Sequence, residues 1–309
     1  MSSNDEHDRN ELWIHNYYVK HKIKFALFFG SCMWVTMLGL VPPRPAAISC
    51  SDEKIRQSFT GDTVSVKNLL VVCLLGPFFM IAYIEFLRLG GMVGSCFKIS
   101  RRFTSDLLVG GLMLFFVNDI IKTFVSEARP HFWQTCQPDL SEGACKEKKI
   151  YINWQNCTNP GNLHFAYLVD SMKSFPSGHS SISVYSGVFM LFYVNARLKL
   201  DSRIMHLCAL LPWTLFPLFC CLSRIYDNRH FWWDVSGGAA MGVIGGLLSV
   251  IYLTNSFAVN ESFVNIEDKS SSEVDESINT ESSRQQHKSV IGDNPEVSVR
   301  QRAHDNSAS

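Results

Sequence analysis

Three short polar segments of the sequence contain residue types that act on phosphate esters, namely cations, histidines and small residues. They lie at 122–130, 174–180 and 223–234. Such an ester needs cations and N–H donors to neutralise its oxygens, a nucleophile, and a proton donor for the departing alcohol. Each segment supplies part of that set, so the elements that carry the segments must bring them together.

The first segment places two cations before a proline. Lys122 and Arg129 are seven residues apart, close to two helical turns, so a helix would present both on one face. Pro130 disfavours the α conformation at Arg129, which predicts that the helix ends about there. Taken alone, the segment fits equally well a pair of cations that reach for water at a membrane boundary.

The second segment has the composition of a helix start. Proline and serine precede a long apolar run, and the free N–H groups of a first helical turn bind anions. Gly178 lets a ligand approach the backbone, Ser177 adds a hydroxyl group and His179 adds a titratable ring. The alternative is an ordinary capped helix with an incidental histidine.

The third segment joins a cation, Arg224, to a histidine and a carboxylate. His230 and Asp234 are four residues apart, which places them on one face if the segment is helical. A carboxylate beside an imidazole holds one ring nitrogen protonated and leaves the other free to attack. The alternative is an aromatic-rich interfacial loop with a surface ion pair.

Six apolar stretches are the elements that would position these segments. A helix needs about 20 mostly apolar residues to cross the hydrocarbon layer. The stretches run over roughly 25–41, 68–87, 107–125, 180–196, 204–222 and 235–259. The sequence therefore predicts an all-α, polytopic membrane protein with six transmembrane helices. Gly238, Gly242 and Gly246 recur four apart in the last stretch, which predicts close packing against a neighbouring helix.

The composition agrees with a membrane protein. Hydrophobic residues make up 47% of the 309 residues and charged residues 18%, against roughly a quarter in soluble domains. Lys plus Arg equals Asp plus Glu at 28 each, so no basic excess indicates a nucleic-acid partner. Residues 1–11 are polar and acidic and do not resemble a signal peptide, so the first apolar stretch would serve as its own insertion signal.

Lys and Arg residues indicate the orientation. They cluster before the first span and after the second and fourth, which assigns those segments to the cytoplasm. Residues 1–22 are then a cytoplasmic segment, 23–259 the six-span domain and 260–309 a disordered cytoplasmic tail. The extracellular or lumenal loops cover about 42–67, 126–179 and 223–234. All three polar segments fall at the ends of the last two loops, so they share one side of the membrane.

Two further features of the outer loops agree with that orientation. Asn156 begins an N-glycosylation sequon and is predicted to be modified, whereas the sequon at Asn260 lies on the inner side and is predicted to stay bare. An oxidising exterior permits disulfides among the loop cysteines, with the pairing left open. Those cysteines are Cys50, Cys136, Cys145 and Cys157.

The three segments together resemble the signature of the lipid phosphate phosphatases, the type 2 phosphatidic acid phosphatase family. They read KTFVSEARP, PSGH and SRIYDNRHFWWD, and every signature position is filled. The similarity covers about 20–255, including the six spans. One departure is Ser126-Glu127, where members often have Gly-Arg, and it adds a carboxylate near the site.

The resemblance implies metal-independent hydrolysis of lipid phosphate monoesters, without a cofactor, through a phosphohistidine. His230 would attack phosphorus, Asp234 would fix its tautomer, and His179 would protonate the departing alcohol and then activate water. The groups expected to stabilise the phosphoryl oxygens are Lys122, Arg129, Ser177, Gly178 and Arg224. Phosphatidate, lysophosphatidate, ceramide 1-phosphate and sphingosine 1-phosphate are the implied substrates.

Other functions remain open at this stage. The same residues could serve a polyprenyl diphosphate or sugar phosphate phosphatase, or a lipid phosphotransferase in which an alcohol replaces water. A non-catalytic lipid-phosphate-binding protein and a transporter or channel are further alternatives. The expected location is the plasma membrane, with an internal membrane as the alternative, among membrane lipids as partners and with homo-oligomerisation left open.

Overall fold

The computed structural model describes residues 3–37, 40–140, 142–147, 149–158, 164–199 and 202–258. All of them belong to one compact unit, Met1–Ala258. The predictions for the tail at 260–309 and for the sequon at Asn260 lie outside the described residues.

The described chain is mostly helical, as the sequence predicts. The long helices are α1 (Ser3–Met37), α3 (Gly76–Arg88), α4 (Val93–Val125), α8 (Gly178–Arg197), α9 (Arg203–Tyr226) and α10 (Trp232–Leu248). A short helix and a π-helical turn precede α3, and a π-helical turn extends α10; these are α2 (Val66–Leu70), Val71–Leu75 and Ser249–Leu253. The shorter helices are α5 (Phe132–Cys136), α6 (Glu142–Glu147) and α7 (Phe165–Asp170).

Four helical segments among the described residues are long and apolar enough to cross a membrane. They are Val66–Arg88, Val93–Val125, Arg203–Tyr226 and Trp232–Leu253. These segments hold the second, third, fifth and sixth predicted spans, and they identify an integral membrane protein. The fourth predicted span lies in α8, and the first, at 25–41, lies in α1 only as far as Met37. Many residues of α8 are buried against other helices, including several serines, so this helix needs little lipid-facing apolar surface.

Several predicted helix ends differ from the observed ones. α1 begins at Ser3 and α4 at Val93, well before the apolar stretches that start at 25 and 107. Hydropathy marks where a helix enters hydrocarbon, whereas its hydrogen bonds continue as long as no breaker intervenes. The last helix stops at Leu253, short of 259, because the residues 255–257 adopt positive φ angles.

The predicted glycine contact is confirmed between α10 and α8. A Cβ atom on Gly242 would lie 2.6 Å from the carbonyl oxygen of Ser181, and one on Gly246 would lie 2.8 Å from Val188 Cγ1. A Cβ atom on Gly238 would meet the Ser177 carbonyl oxygen. These approaches hold the N-terminus of α8 directly against the N-terminus of α10.

A small cap joins the first loop to the long loop that follows α4. Strand β1 (Ile48–Ser49) pairs antiparallel with β2 (Tyr151–Ile152), a two-stranded ribbon that the all-α prediction did not include. Disulfides link Cys50 to Cys145 and Cys136 to Cys157, which resolves the pairing left open by the sequence. The cap has its own buried core, composed of Cys50, Ile55, Ala128, Phe132, Cys136, Cys145, Ile152 and Met172.

Candidate active site

A cavity of about 420 Å³ lies at the end of the helices that carries the cap. Six of the eight residues predicted to act on phosphate line it, and these are Lys122, Arg129, Gly178, His179, Arg224 and His230. The other two, Ser177 and Asp234, are buried but are not among the lining residues. The three polar segments therefore meet at one place, although Lys122 and His230 lie 108 residues apart in sequence.

The second segment begins α8, as predicted, with Ser177 at the N-cap. Its hydroxyl oxygen accepts hydrogen bonds from the Ser180 backbone (3.5 Å) and side chain (3.1 Å), and its own N–H donates to the Asp234 carbonyl oxygen (3.0 Å). The Ser177 hydroxyl is thus occupied in capping the helix. The neighbouring Gly178 and His179 are left to face the cavity.

His230 and Asp234 contact each other, but they do not share a helix face. His230 precedes α10, which begins at Trp232, so the contact is made from a turn. Asp234 Oδ2 lies 3.5 Å from His230 Nδ1 and accepts hydrogen bonds from the Phe231 N–H (2.9 Å) and the Ser174 hydroxyl (2.6 Å). The carboxylate is therefore fixed by three partners, and it leaves His230 Nε2 as the ring nitrogen available for attack.

His179 presents an unsatisfied nitrogen. Its Nε2 atom is buried and has no hydrogen-bond partner within the described chain. The same holds for Asn118 Oδ1, and Asn118 also lines the cavity. Buried polar atoms are normally paired, and these two border the cavity, where a group bound there could complete their bonds.

The first segment differs from the prediction in its local structure. α4 ends at Val125, not near Arg129, because Ser126 adopts a left-handed conformation with φ of 51°. Lys122 and Arg129 consequently lie on different elements, although both line the cavity. Lys122 Nζ donates to the carbonyl oxygens of Lys173 (2.6 Å) and Ser174 (3.5 Å). Among the described residues, Lys122 therefore has carbonyl oxygens and no carboxylate as its direct hydrogen-bond partners.

The two arginines of the predicted set are already paired with carboxylates. Arg129 Nη2 lies 2.7 Å from Asp170 Oδ2, and its Nε donates to the Asp170 carbonyl oxygen at 2.9 Å. Arg224 lies 3.0 Å from Asp62 and 2.8 Å from Asp227. Paired guanidinium groups are held in one orientation yet keep free N–H donors, because each has five.

Several lining residues were not predicted from the sequence. They include Asn118, Asp119, His164, Tyr167, Asp170, Lys173 and Arg229. Arg229 directly precedes His230, and Lys173 directly precedes the second segment, so neighbourhood to a motif was the available signal for these two. Ser174, which holds Asp234, lay inside the second segment, but its role depended on a partner 60 residues away.

Glu127, the departure from the family pattern, does not line the cavity. It lies behind Asp234, where its Oε1 accepts a hydrogen bond from Trp233 Nε1 at 2.8 Å. Burial, together with the nearby Asp234, raises the pKa of Glu127 to about 7, although the hydrogen bond from Trp233 opposes the shift. It borders a second cavity of about 410 Å³ beside Phe231 and Trp233.

Within the described residues, no three His, Cys, Asp or Glu side chains are grouped so that they could hold a metal ion. The positive groups around the cavity are instead side chains of the protein. They are Lys122, Arg129, Lys173, Arg224 and Arg229.

Apolar membrane helices and a cavity lined by cations and histidines define an integral membrane protein with a buried cationic site. The family model of the PAP2 superfamily matches residues 103–258, half of the chain, and this range contains all three polar segments. The chain belongs to the PAP2 superfamily, as its resemblance to the type 2 phosphatidic acid phosphatases predicts, and it is a phosphatase.

Curated relatives agree with this assignment. The chain is 28% identical to phospholipid phosphatase 1 of Rattus norvegicus over 79% of its own length and 88% of the relative. It is 26% identical to phospholipid phosphatase 2 of Mus musculus, over 75% of this chain and 87% of that one. A putative phosphatidate phosphatase of Drosophila melanogaster is 31% identical over 48% of this chain and 40% of its own. No solved structure matches the chain significantly.

Proposed function

We propose that this phosphatase hydrolyses lipid phosphate monoesters without a metal ion, through a phosphohistidine on His230. The observation that carries the proposal is the cavity that His179, His230 and the cationic side chains line together. The implied substrates are phosphatidate, lysophosphatidate, ceramide 1-phosphate and sphingosine 1-phosphate. The names of the relatives, which include phospholipid phosphatases and a putative phosphatidate phosphatase, favour this class.

In the first step, His230 Nε2 attacks phosphorus and the bond to the lipid oxygen breaks. Asp234, held near Nδ1, fixes the tautomer that leaves Nε2 unprotonated and stabilises the imidazolium that forms. Burial, followed by the nearby Arg129 and Lys122, holds the pKa of His230 well below its ordinary value of 6.5. The neutral, nucleophilic ring is therefore the resting form at neutral pH.

His179 acts as the general acid and then as the general base of the proposed reaction. It lines the same cavity and interacts electrostatically with His230. Burial, followed by the nearby Arg224, lowers the pKa of His179 to about 3, so the ring takes up a proton only together with the bound phosphate dianion. It gives that proton to the departing lipid oxygen and then takes a proton from the water that attacks the phosphohistidine. Inorganic phosphate leaves and His230 is restored.

The cations take the role that Mg²⁺ has in many phosphoryl-transfer enzymes. Lys122, Arg129 and Arg224 line the cavity together with Gly178 at the start of α8. We assign these groups to the phosphoryl oxygens of the substrate. Removal of one such preorganised donor typically costs roughly a hundred- to thousandfold in rate. This set supports turnover in the absence of any divalent metal.

We place the cavity on the extracellular or lumenal side of a six-span protein in the plasma membrane or an internal membrane. Two disulfides in the cap favour that side, because disulfides persist in oxidising compartments. The cavity also has apolar walls from helix-borne Val66 and Phe115, which suits a substrate whose chains remain in hydrocarbon.

The test is phosphate release from detergent-solubilised lipid phosphates in EDTA. The wild-type protein should remain active, whereas His230→Ala and His179→Ala should each lose about 100- to 10,000-fold in kcat. His206→Ala is the matched control, because His206 lies at the opposite end of α9 from Arg224. Equal release by all four proteins would refute the roles, and activity that returns only with added Mg²⁺ would refute metal independence.

A further inference from the structure

The first loop packs onto the turn that leads to the nucleophile. Its segment 58–63, here called the strap, bonds to the turn at several points. Thr63 donates to Asp227 through its N–H (2.9 Å) and its hydroxyl group (2.6 Å). Asn228 Nδ2 donates to the Ser58 carbonyl oxygen at 2.8 Å. The strap is therefore fixed against the wall of the cavity.

One carboxylate of the strap bridges two arginines. Asp62 Oδ1 lies 3.0 Å from Arg224 Nη1 and 3.2 Å from Arg229 Nε. The Arg229 guanidinium also lies over the Phe59 ring, 5.0 Å from its centroid. Both arginines line the cavity, and Arg229 has a side chain only 13% exposed.

We propose that Arg229 is a further phosphoryl-binding residue and that Asp62 is the positioning residue that holds Arg229 and Arg224 at the cavity. Two adjacent guanidinium groups repel each other, and a carboxylate between them offsets that repulsion. Arg224 also donates to Ser223 and Asp227, and Arg229 Nη1 lies 3.4 Å from His131 Nε2. Each terminal nitrogen carries two hydrogens, so both guanidinium groups still have N–H donors for an oxyanion. The inference rests on the proposed function, because the bound group is the substrate phosphate.

The strap thereby contributes to the site, although it lies outside the three polar segments of the sequence. A surface ion pair with no role at the site is the competing explanation. The placement of Arg229 disagrees with that explanation, because its guanidinium is mostly buried and borders the same cavity as His179 and His230.

The experiment measures orthovanadate affinity of the full chain purified in detergent, since vanadate resembles a transferring phosphoryl group. Arg229→Gln should raise the vanadate Kd about tenfold or more, the loss of a charge-assisted hydrogen bond. Asp62→Asn should raise it several-fold, and Asp62→Glu should restore most of the affinity. The melting temperature, followed in parallel for all three variants, separates a loss of affinity from a loss of folding.

Matched controls come from the same loop. Asp52→Asn makes the same charge change at the N-cap of the 3₁₀ helix Glu53–Arg56, and Arg56→Gln removes an arginine stacked 3.6 Å from the Trp133 ring centroid. Neither residue lines the cavity, so both variants should keep the wild-type vanadate Kd.

Unchanged vanadate affinity in Arg229→Gln would overturn the inference, as would a wild-type protein that binds no vanadate. Loss of affinity in Asp62→Asn that Asp62→Glu does not restore would reduce Asp62 to a structural residue. Vanadate binding that depends on Arg229 in a protein without lipid phosphate hydrolysis would refute the proposed function and keep this inference.

Discussion

At the scale of single residues, carboxylates control how the site is charged. Arg129 is paired with Asp170, Arg224 and Arg229 share Asp62, and Lys122 binds carbonyl oxygens. Paired arginines act mainly as oriented donors, whereas the lysine is held by carbonyl oxygens and has no direct carboxylate partner among the described residues.

Glu127 gives a pH-dependent prediction. The pKa of this carboxyl group is about 7 in the folded chain against an ordinary 4.5, so its contribution to stability is fully present below 4.5 and lost as pH rises through 7. Glu127→Gln keeps an acceptor for Trp233 without the charge. The melting temperature of the variant should therefore rise relative to wild type between about pH 5 and about pH 8. A constant difference over that range would contradict the assignment.

At the scale of elements, the contact between the N-termini of α8 and α10 positions the candidate site residues. α8 begins with Gly178 and His179, and α10 carries Asp234 in its first turn. Glycines on α10 bring the two helix starts into contact, and the Ser177 N–H bonds to the Asp234 carbonyl oxygen across the junction. A shift of one helix along the other would separate the two histidines.

Gly242→Ala tests this junction. The added Cβ atom would lie 2.6 Å from the Ser181 carbonyl oxygen and 2.9 Å from Val184 Cβ, and backbone cannot give way as a flexible side chain does. We expect a loss of about 1–3 kcal/mol in stability together with lower kcat. Gly94→Ala in α4, where nothing lies within 4 Å of the added atom, is the control and should be neutral or stabilising. Thermal unfolding and phosphate release measure both effects.

At the scale of the whole molecule, the cap ties distant parts of the chain together at the end that holds the cavity. Cys50 and Cys145 are joined across 95 residues, and the cap core includes Ala128 next to Arg129. The strap continues from this cap to the turn before His230. The first loop, which carries no residue of the three polar segments, thus borders the site.

Glycosylation of Asn156 tests which side of the membrane the cap occupies. The side chain is exposed on the cap, next to the disulfide-bonded Cys157. In microsomes from eukaryotic cells, the wild-type chain should lose mass with glycosidase only after the membrane is opened, and Asn156→Gln should show no such loss. Asn260→Gln should behave as wild type, because that sequon is predicted to face the cytoplasm. Glycosylation of Asn260 would contradict the predicted orientation of the chain in the membrane.

The sequence by itself predicted the candidate catalytic residues and the membrane helices. Residue type and short spacing identify His179, His230 and Asp234, because a signature such as PSGH is local in the chain. Apolar length identifies membrane helices, because hydrocarbon thickness is fixed. The glycine repeat in α10 also predicts a helix contact, since spacing on one helix face is a local property.

Only the tertiary structure decided which partners hold the side chains of the candidate site. Asp62 and Arg224 are 162 residues apart, and Ser174 and Asp234 are 60 apart, and no periodic pattern links such pairs. The same is true of the disulfide pairing, of the early end of α4 at Ser126 and of the placement of Arg229. Each depends on which surfaces meet after the helices pack, and packing is a property of the whole chain.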